Sequence, residues 1–271
     1  MIGSAPVHIV AMQQIADTGN AATVLATLPA NSVHTCVTSP PYWGLRDYGV
    51  RGQLGLEKTP EEYVASMVLL FQEVRRVLRD DGTLWLNLGD SYSGSGKGAM
   101  ADGSDTGGEK QRTNQGTQLG RFHKTEAPGL KPKDLVGIPW RAAFALQQDG
   151  WYLCQDIIWY KPNPMPESVT DRCTKAHEYI FLLSKSARYY FDHSSIKEPS
   201  KYPDDNRKAR SAVSNKRIPT TLIAGIRPGS KTYPERNRRS VWTVSTRPYR
   251  GAHFATFPRR SSSRASSQVR R

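Results

Sequence analysis

Acidic residues are scarce in this chain: 24 Asp and Glu stand against 38 Lys and Arg in 271 residues, a formal charge of +14. That imbalance disfavours a cationic partner and suits a polyanion, most simply nucleic acid. Part of the excess is terminal, because the last thirteen residues hold five arginines (259, 260, 264, 270 and 271) and no acid. Cysteine is scarcer still. Cys36, Cys154 and Cys173 make no disulfide framework and lack zinc-ligand spacing, so no metal site is expected. No uninterrupted 18-residue apolar run and no signal peptide is visible, so a cytoplasmic protein without a membrane partner is expected. A phosphate-binding glycine loop is missing too. The GxG pattern at Gly94-Ser95-Gly96 runs into Lys97-Gly98 in a low-complexity stretch, with no helix behind it.

What is present alternates between apolar strands and one strong helix. Residues 7–10 predict a short edge strand, 22–28 a short helix, and 33–37 a buried strand. Thr59 caps the next helix, Pro60 suits its first position, and Glu62 completes a capping box. Tyr63, Met67, Leu70, Phe71, Val74, Val77 and Leu78 then recur on one helical face. Residues 79–82 read as the turn that ends this helix, and 83–88 as the strand that follows, broken by Gly89-Asp90. A helix returning to a strand is half of a β–α–β unit and predicts a parallel α/β sheet. A second helix is predicted over 135–148, with strands at 156–159 and 178–183. Residues 91–130 carry nine glycines and few apolar groups, and read as a long flexible loop.

The most informative stretch follows the strand at 33–37. Thr38-Ser39-Pro40-Pro41-Tyr42 cannot continue a central strand, because two prolines lack the N–H groups that the ladder needs. The chain must leave the sheet rigidly, presenting a hydroxyl, two fixed carbonyls and an aromatic ring at the strand's carboxyl edge, where open α/β sheets bind ligands. Elsewhere, residues 197–247 hold thirteen Lys or Arg against four acids. Arg207, Lys208, Arg210, Lys216 and Arg217 form one basic cluster and Arg236, Arg238 and Arg239 another, a pattern suited to nucleic acid.

Five ordered pieces together resemble the permuted amino DNA methyltransferases, whose catalytic motif precedes their cofactor motif. They are TSPPYWGLRDYG at 38–49, LWLNLGD at 84–90, DIIWYKPNPMP at 156–166, KAHEYIFLL at 175–183, and VWTV at 241–244 with RGAHFATFP at 250–258. The resemblance implies a Rossmann-like sheet with helices on both faces and a basic target-recognition insert. It implies methyl transfer from S-adenosylmethionine to an exocyclic amino group of a base flipped out of duplex DNA. Transferred residue by residue, Ser39 and the Pro40 carbonyl accept hydrogen bonds from the target amino group, Pro41 stiffens the loop, and Tyr42 stacks on the base. Trp43 and Asp90 are base-pocket candidates, and Lys161 is a phosphate-contact candidate. Asn87 reads as satisfying a strand end, and His177 with Glu178 as structural hydrogen bonding. Ser39 favours cytosine-N4 as the target; adenine-N6 is the alternative. A non-catalytic DNA-binding remnant or subunit and an RNA-directed enzyme also compete.

On the same resemblance, residues 1–192 form the catalytic half, 193–240 the target-recognition segment, 241–258 the return to the core, and 259–271 an aberrant basic tail. The family's glycine-rich cofactor loop does not follow Phe257-Pro258. His253, Phe254 and Phe257 remain the cofactor candidates. An alternative frame of GC-rich codons across the tail encodes an amphipathic run, which leads us to expect a frameshift or truncation. The expected consequences are an incomplete sheet beside the SPPY strand, weak cofactor binding and self-association. A cognate restriction endonuclease is the expected functional partner.

Overall fold

The helix with the clearest apolar stripe organises the fold. The computed structural model describes residues 19–45, 50–94, 127–164, 166–167, 169–201, 203 and 233–245. Its elements are α1 (Ala21–Thr27), β1 (Val33–Thr38), α2 (Pro60–Val77), β2 (Leu78–Leu88), α3 (Ile138–Gln148), β3 (Tyr152–Tyr160), β4 (His177–Ser184), β5 (Glu198–Pro199), β6 (Glu235–Arg236) and β7 (Val241–Thr243). The strand expected at 7–10 lies outside the described residues.

Helix α2 starts where its capping chemistry dictates. Thr59 Oγ1 accepts from the Glu62 N–H at 3.1 Å, and Glu62 Oε2 accepts from the Lys58 N–H at 3.0 Å. Tyr63, Met67, Phe71, Val74 and Val77 are buried along its stripe. Tyr63, Met67, Phe71 and Val74 pack with Ala142, Ala143 and Leu146 of α3 on one face of the sheet, against Leu84, Leu86, Leu88, Phe181 and Leu183. Each large side chain so buried contributes about 1.5–3 kcal/mol. The opposite face is aromatic: Trp85, Trp159 and Trp242 with Ile157, Ile180, Leu182 and Val244, flanked by Tyr189 and Phe191.

Five strands form a mixed sheet in the order β1-β2-β4-β3-β7, and β5 and β6 form a separate two-stranded pair. β1 and β2 are parallel, as are β3 and β7, while β4 runs against both β2 and β3. The wholly parallel sheet expected from the β–α–β pattern is corrected by this one strand. Its reversal brings the carboxyl ends of β1, β2 and β3 to the same edge as the amino end of β4, with Leu88 opposite Tyr179 and Tyr160 opposite His177.

Three further features differ from the sequence reading. β2 begins directly at Leu78, and residues 79–82 form a bulge rather than a separate turn, since pairing jumps from Val33/Leu78 to Thr35/Thr83. Gly82 permits this close approach: a Cβ there would sit 2.9 Å from the Arg79 carbonyl oxygen and 3.1 Å from that of His34. α3 begins at Ile138, after Gly137 at φ +79°, while Leu135 instead forms a bridge with Tyr92. β1, expected to be buried, is half-buried along most of its length and stands at the end of the sheet among the described residues. No helix among the described residues is long and apolar enough to cross a membrane.

Candidate active site

The proline pair ends β1 and sends Ser39–Tyr42 along the carboxyl edge of the sheet. A neighbouring segment clamps this loop. The Tyr63 hydroxyl donates to the Pro41 carbonyl at 2.9 Å, the Gly44 N–H donates to the Gly55 carbonyl at 2.8 Å, and the Trp43 indole N–H donates to the Glu57 carbonyl at 2.9 Å. Gly55, at φ +96°, is required by this contact, because a Cβ would meet the Tyr42 carbonyl oxygen at 2.8 Å. Pro40 is buried and Ser39 half-buried. Trp43, a base-pocket candidate, is only 2% exposed and belongs to the core under α2.

Tyr42 turns its ring toward β2. Gly89 makes the room: a Cβ there would lie 2.5 Å from Tyr42 Cε2. The phenol oxygen then reaches Asn87 Oδ1 at 3.0 Å and Glu178 Oε2 at 2.9 Å, and accepts from the Ser39 hydroxyl at 3.1 Å. Asn87 Nδ2 donates to Glu178 Oε2 at 3.1 Å and to the Tyr179 carbonyl at 2.9 Å. Lys161 Nζ pairs with the other Glu178 oxygen and sits 4.7 Å from the Trp159 ring centroid. Residues from the ends of four strands thus form one continuous polar network. Burial first, then the Glu178 carboxylate, push the Tyr42 phenol far above its ordinary range, so it stays protonated.

Asp90 works at the back of this edge. Its Oδ1 accepts from the N–H groups of Ser91, Gly137 and Ile138 at 3.0, 3.0 and 3.1 Å. Gly137 offers α3 no side-chain cap, and Asp90 supplies one from 47 residues away, with its charge at the positive end of the helix dipole. Lys175 lies nearby; burial is the main cause lowering its pKa, and Lys161 adds to it against the opposing pull of Asp90, Glu178 and Glu167. His177 is lowered as well, by burial and then by Lys175.

Ser39, Pro41, Tyr42 and Lys161 are therefore brought together, while Asp90 faces α3. Arg236, Arg238 and Arg239 lie elsewhere. Arg236 and Arg239 place Nε 3.1 and 3.2 Å from Glu198 Oε1, and Arg238 lies over the Trp242 ring at 5.2 Å. Arg207, Lys208, Arg210, Lys216, Arg217, His253, Phe254 and Phe257 lie outside the described residues. Sequence reasoning passed over Gly89, Tyr63 and the full reach of Asn87 and Glu178. The available signal was a polar residue alternating with Trp85 in an apolar strand, and a His-Glu pair opening another. No group of three or more His, Cys, Asp or Glu that could hold a metal occurs among the described residues.

The profile of the DNA methylase family, which takes in N6- and N4-amino methyltransferases, matches residues 33–265. Type II methyltransferase M.SmaI of Serratia marcescens is 47% identical over 241 residues, which is 89% of this chain and 70% of that protein. M.Cfr9I of Citrobacter freundii is 45% identical over 241 residues, 89% of this chain and 67% of that protein. Among solved structures, PvuII DNA methyltransferase (cytosine-N4-specific) is similar with a TM-score of 0.54 at 14% identity, covering 93% of this chain and 69% of that one. That last likeness is one of fold.

Proposed function

This chain belongs to the DNA methylase family, and from that premise we propose that it methylates the exocyclic N4 of cytosine in duplex DNA, with the base flipped out of the helix. The observation that carries the reading is Ser39 at the head of the proline loop, a half-buried hydroxyl at the meeting point of four strand ends. An amino group paired inside a duplex cannot be reached, so the base must leave the stack. Ser39 Oγ and the Pro40 carbonyl then each accept one amino N–H. Both bonds hold the nitrogen lone pair out of the ring and free it for alkylation. The rigid prolines fix the two acceptors, which lowers the entropic cost of aligning the amino group. No nucleophilic cysteine is needed; Cys36, the cysteine nearest the loop in sequence, has its thiol pushed up to about 11 by burial.

When bound, S-adenosylmethionine supplies a methyl group activated on a sulfonium. Among the described residues, no glycine-rich turn offers a cradle of backbone N–H groups beside β1, and no residue of that set is assigned to the donor. The basic clusters around 207–217 and 236–239 supply the phosphate-facing charge in this reading, and Lys161, a further phosphate-contact candidate, is paired with Glu178. The relatives are named Type II methyltransferases, and we place a restriction endonuclease of the same target site as the partner in function. Pairing between β1 edges of two copies is the route we propose for self-association, to be read by sedimentation.

The test is transfer of labelled methyl from S-adenosylmethionine to unmethylated DNA and to RNA, followed by digestion to nucleosides. N4-methylcytosine from duplex DNA is the expected product. N6-methyladenine would move the target to the alternative base, and label on RNA alone or on neither would overturn the reading.

A further inference from the structure

Resting on the reading that Ser39 meets the target amino group, we propose that Glu178 is a positioning residue: acting through Tyr42, it fixes the Ser39 hydroxyl as a hydrogen-bond acceptor. The polarity follows from counting donors. Asn87 Nδ2 faces two atoms that only accept, the Tyr179 carbonyl oxygen at 2.9 Å and Glu178 Oε2 at 3.1 Å. Turning the amide over would set its oxygen against a carbonyl and a carboxylate, so Asn87 Oδ1 is held toward Tyr42, 3.0 Å away.

Tyr42 therefore has two acceptors within reach, Asn87 Oδ1 and Glu178 Oε2, and one proton. Its hydroxyl must donate inward, and the carboxylate is the stronger acceptor. The phenol oxygen is left to accept, and the group that donates to it is Ser39, 3.1 Å away. Ser39 also has a single proton. With that proton committed to Tyr42, its remaining lone pairs can only accept, as an amino N–H requires.

The alternative shows why this matters. A Ser39 hydroxyl free to rotate would also donate to the amino nitrogen and occupy the lone pair that the reaction uses. Lys161, paired with the second Glu178 oxygen, restrains the carboxylate's rotation. The device joins residues 136 positions apart in sequence through one hydroxyl.

The experiment uses the full chain and duplexes carrying a site that it selects from random sequence, with cytosine or uracil at the target position. Uracil replaces the donating amino group with an accepting oxygen, and a site built for a donor rejects it. The wild type is expected to bind the cytosine duplex at least about tenfold more tightly. Tyr42→Phe releases the Ser39 proton and Glu178→Gln weakens the pull that commits it, so the discrimination is expected to fall at least about threefold in each, the Pro40 carbonyl retaining the rest. The mismatch introduced by uracil is common to all proteins and cancels between them. Single-turnover methyl transfer by each variant is expected to fall about 100-fold, with cytosine-duplex affinity within about threefold of wild type. The double variant should be no worse than the poorer single one, because both act through the same hydroxyl.

Unchanged uracil discrimination in both variants overturns the proposal, whatever happens to turnover. Should Glu178→Gln fail to fold, Tyr42→Phe still decides, since it deletes one oxygen atom. Absence of methyl transfer by the wild type counts against the functional reading instead, because the uracil comparison needs no methyl donor.

Discussion

Two sets of polar side chains in this molecule are held in opposite ways. At the carboxyl edge of the sheet, Ser39, Tyr42, Asn87 and Glu178 arrive from three separate regions of the chain and satisfy one another. Beside β7, Arg236, Arg238 and Arg239 are near neighbours in sequence, held by one carboxylate, Glu198, and one indole, Trp242. The first set cannot be dismantled one residue at a time, because each loss leaves a half-buried polar group without its partner. The second set is local: Arg239 is exposed, Arg236 and Arg238 are half-buried, and Arg236 and Arg239 share one Glu198 oxygen. Counting arginines along the sequence thus overstates the positive charge free to meet DNA, while reading the SPPY motif alone understates how much of the molecule supports it.

The comparison is broken most severely at Gly89. Gly89→Ala would push a methyl group into the Tyr42 ring, displacing the phenol from Glu178 and Asn87. Methyl transfer should fall at least about 100-fold with the fold intact, a loss typical of misplaced reacting groups; near-normal single-turnover rates would show that the ring position is incidental. Asp90→Ala comes next. It leaves the Gly137 and Ile138 N–H groups at the start of α3 without their acceptor. A loss of about 1–3 kcal/mol is expected in denaturant unfolding, and an unchanged midpoint would remove Asp90 from its capping role.

Smaller effects sharpen the second half of the comparison. Glu198→Gln releases Arg236 and Arg239. If the phosphate-facing proposal holds, DNA binding should tighten a few-fold at low salt and the salt dependence should steepen by about one to two counterions. No change in either quantity would take these arginines off the DNA surface. The thiols give the mildest test. Cys36 has a folded value raised to about 11 by burial, whereas Cys173 is exposed. At pH 8 only about one Cys36 in a thousand is thiolate on that value, so a thiol reagent should label Cys173 first. The linkage has a definite sign. A thiol raised on folding keeps its stabilising effect below the unfolded value and loses it as pH climbs toward 11, so stability should decline above about pH 9. Rapid labelling of Cys36 at pH 8 would show that the strand end is open.

Local chemistry explains what the sequence disclosed. The Thr59 cap, the apolar stripe from Tyr63 to Val77 and the proline stop after Thr38 depend on neighbours within a few residues, and each lies where its pattern predicts. The reversal of β4 was illegible, because nothing in His177–Ser184 encodes direction; it follows from how β3 returns beside it. The bulge at 79–82 reads as a turn for the same reason, since only pairing with β1 distinguishes the two. Within the polar network, the place of Ser39 and Tyr42 just past the end of β1 was legible from the proline pair. The place of Glu178 in that network was not, because it depends on contacts across 91 and 136 positions. Asp90 reads from its motif as a base-pocket candidate; its contact with the start of a helix 47 residues on was not legible.

The most direct test of the central claim, that the proline loop carries the amino-group chemistry, is single-turnover methyl transfer by Ser39→Ala with DNA affinity measured in parallel. A rate at least about 100-fold below wild type, with affinity within about threefold, is expected for a group that acts on the reacting amino nitrogen. A rate close to wild type would contradict the claim and move the chemistry away from this edge of the sheet.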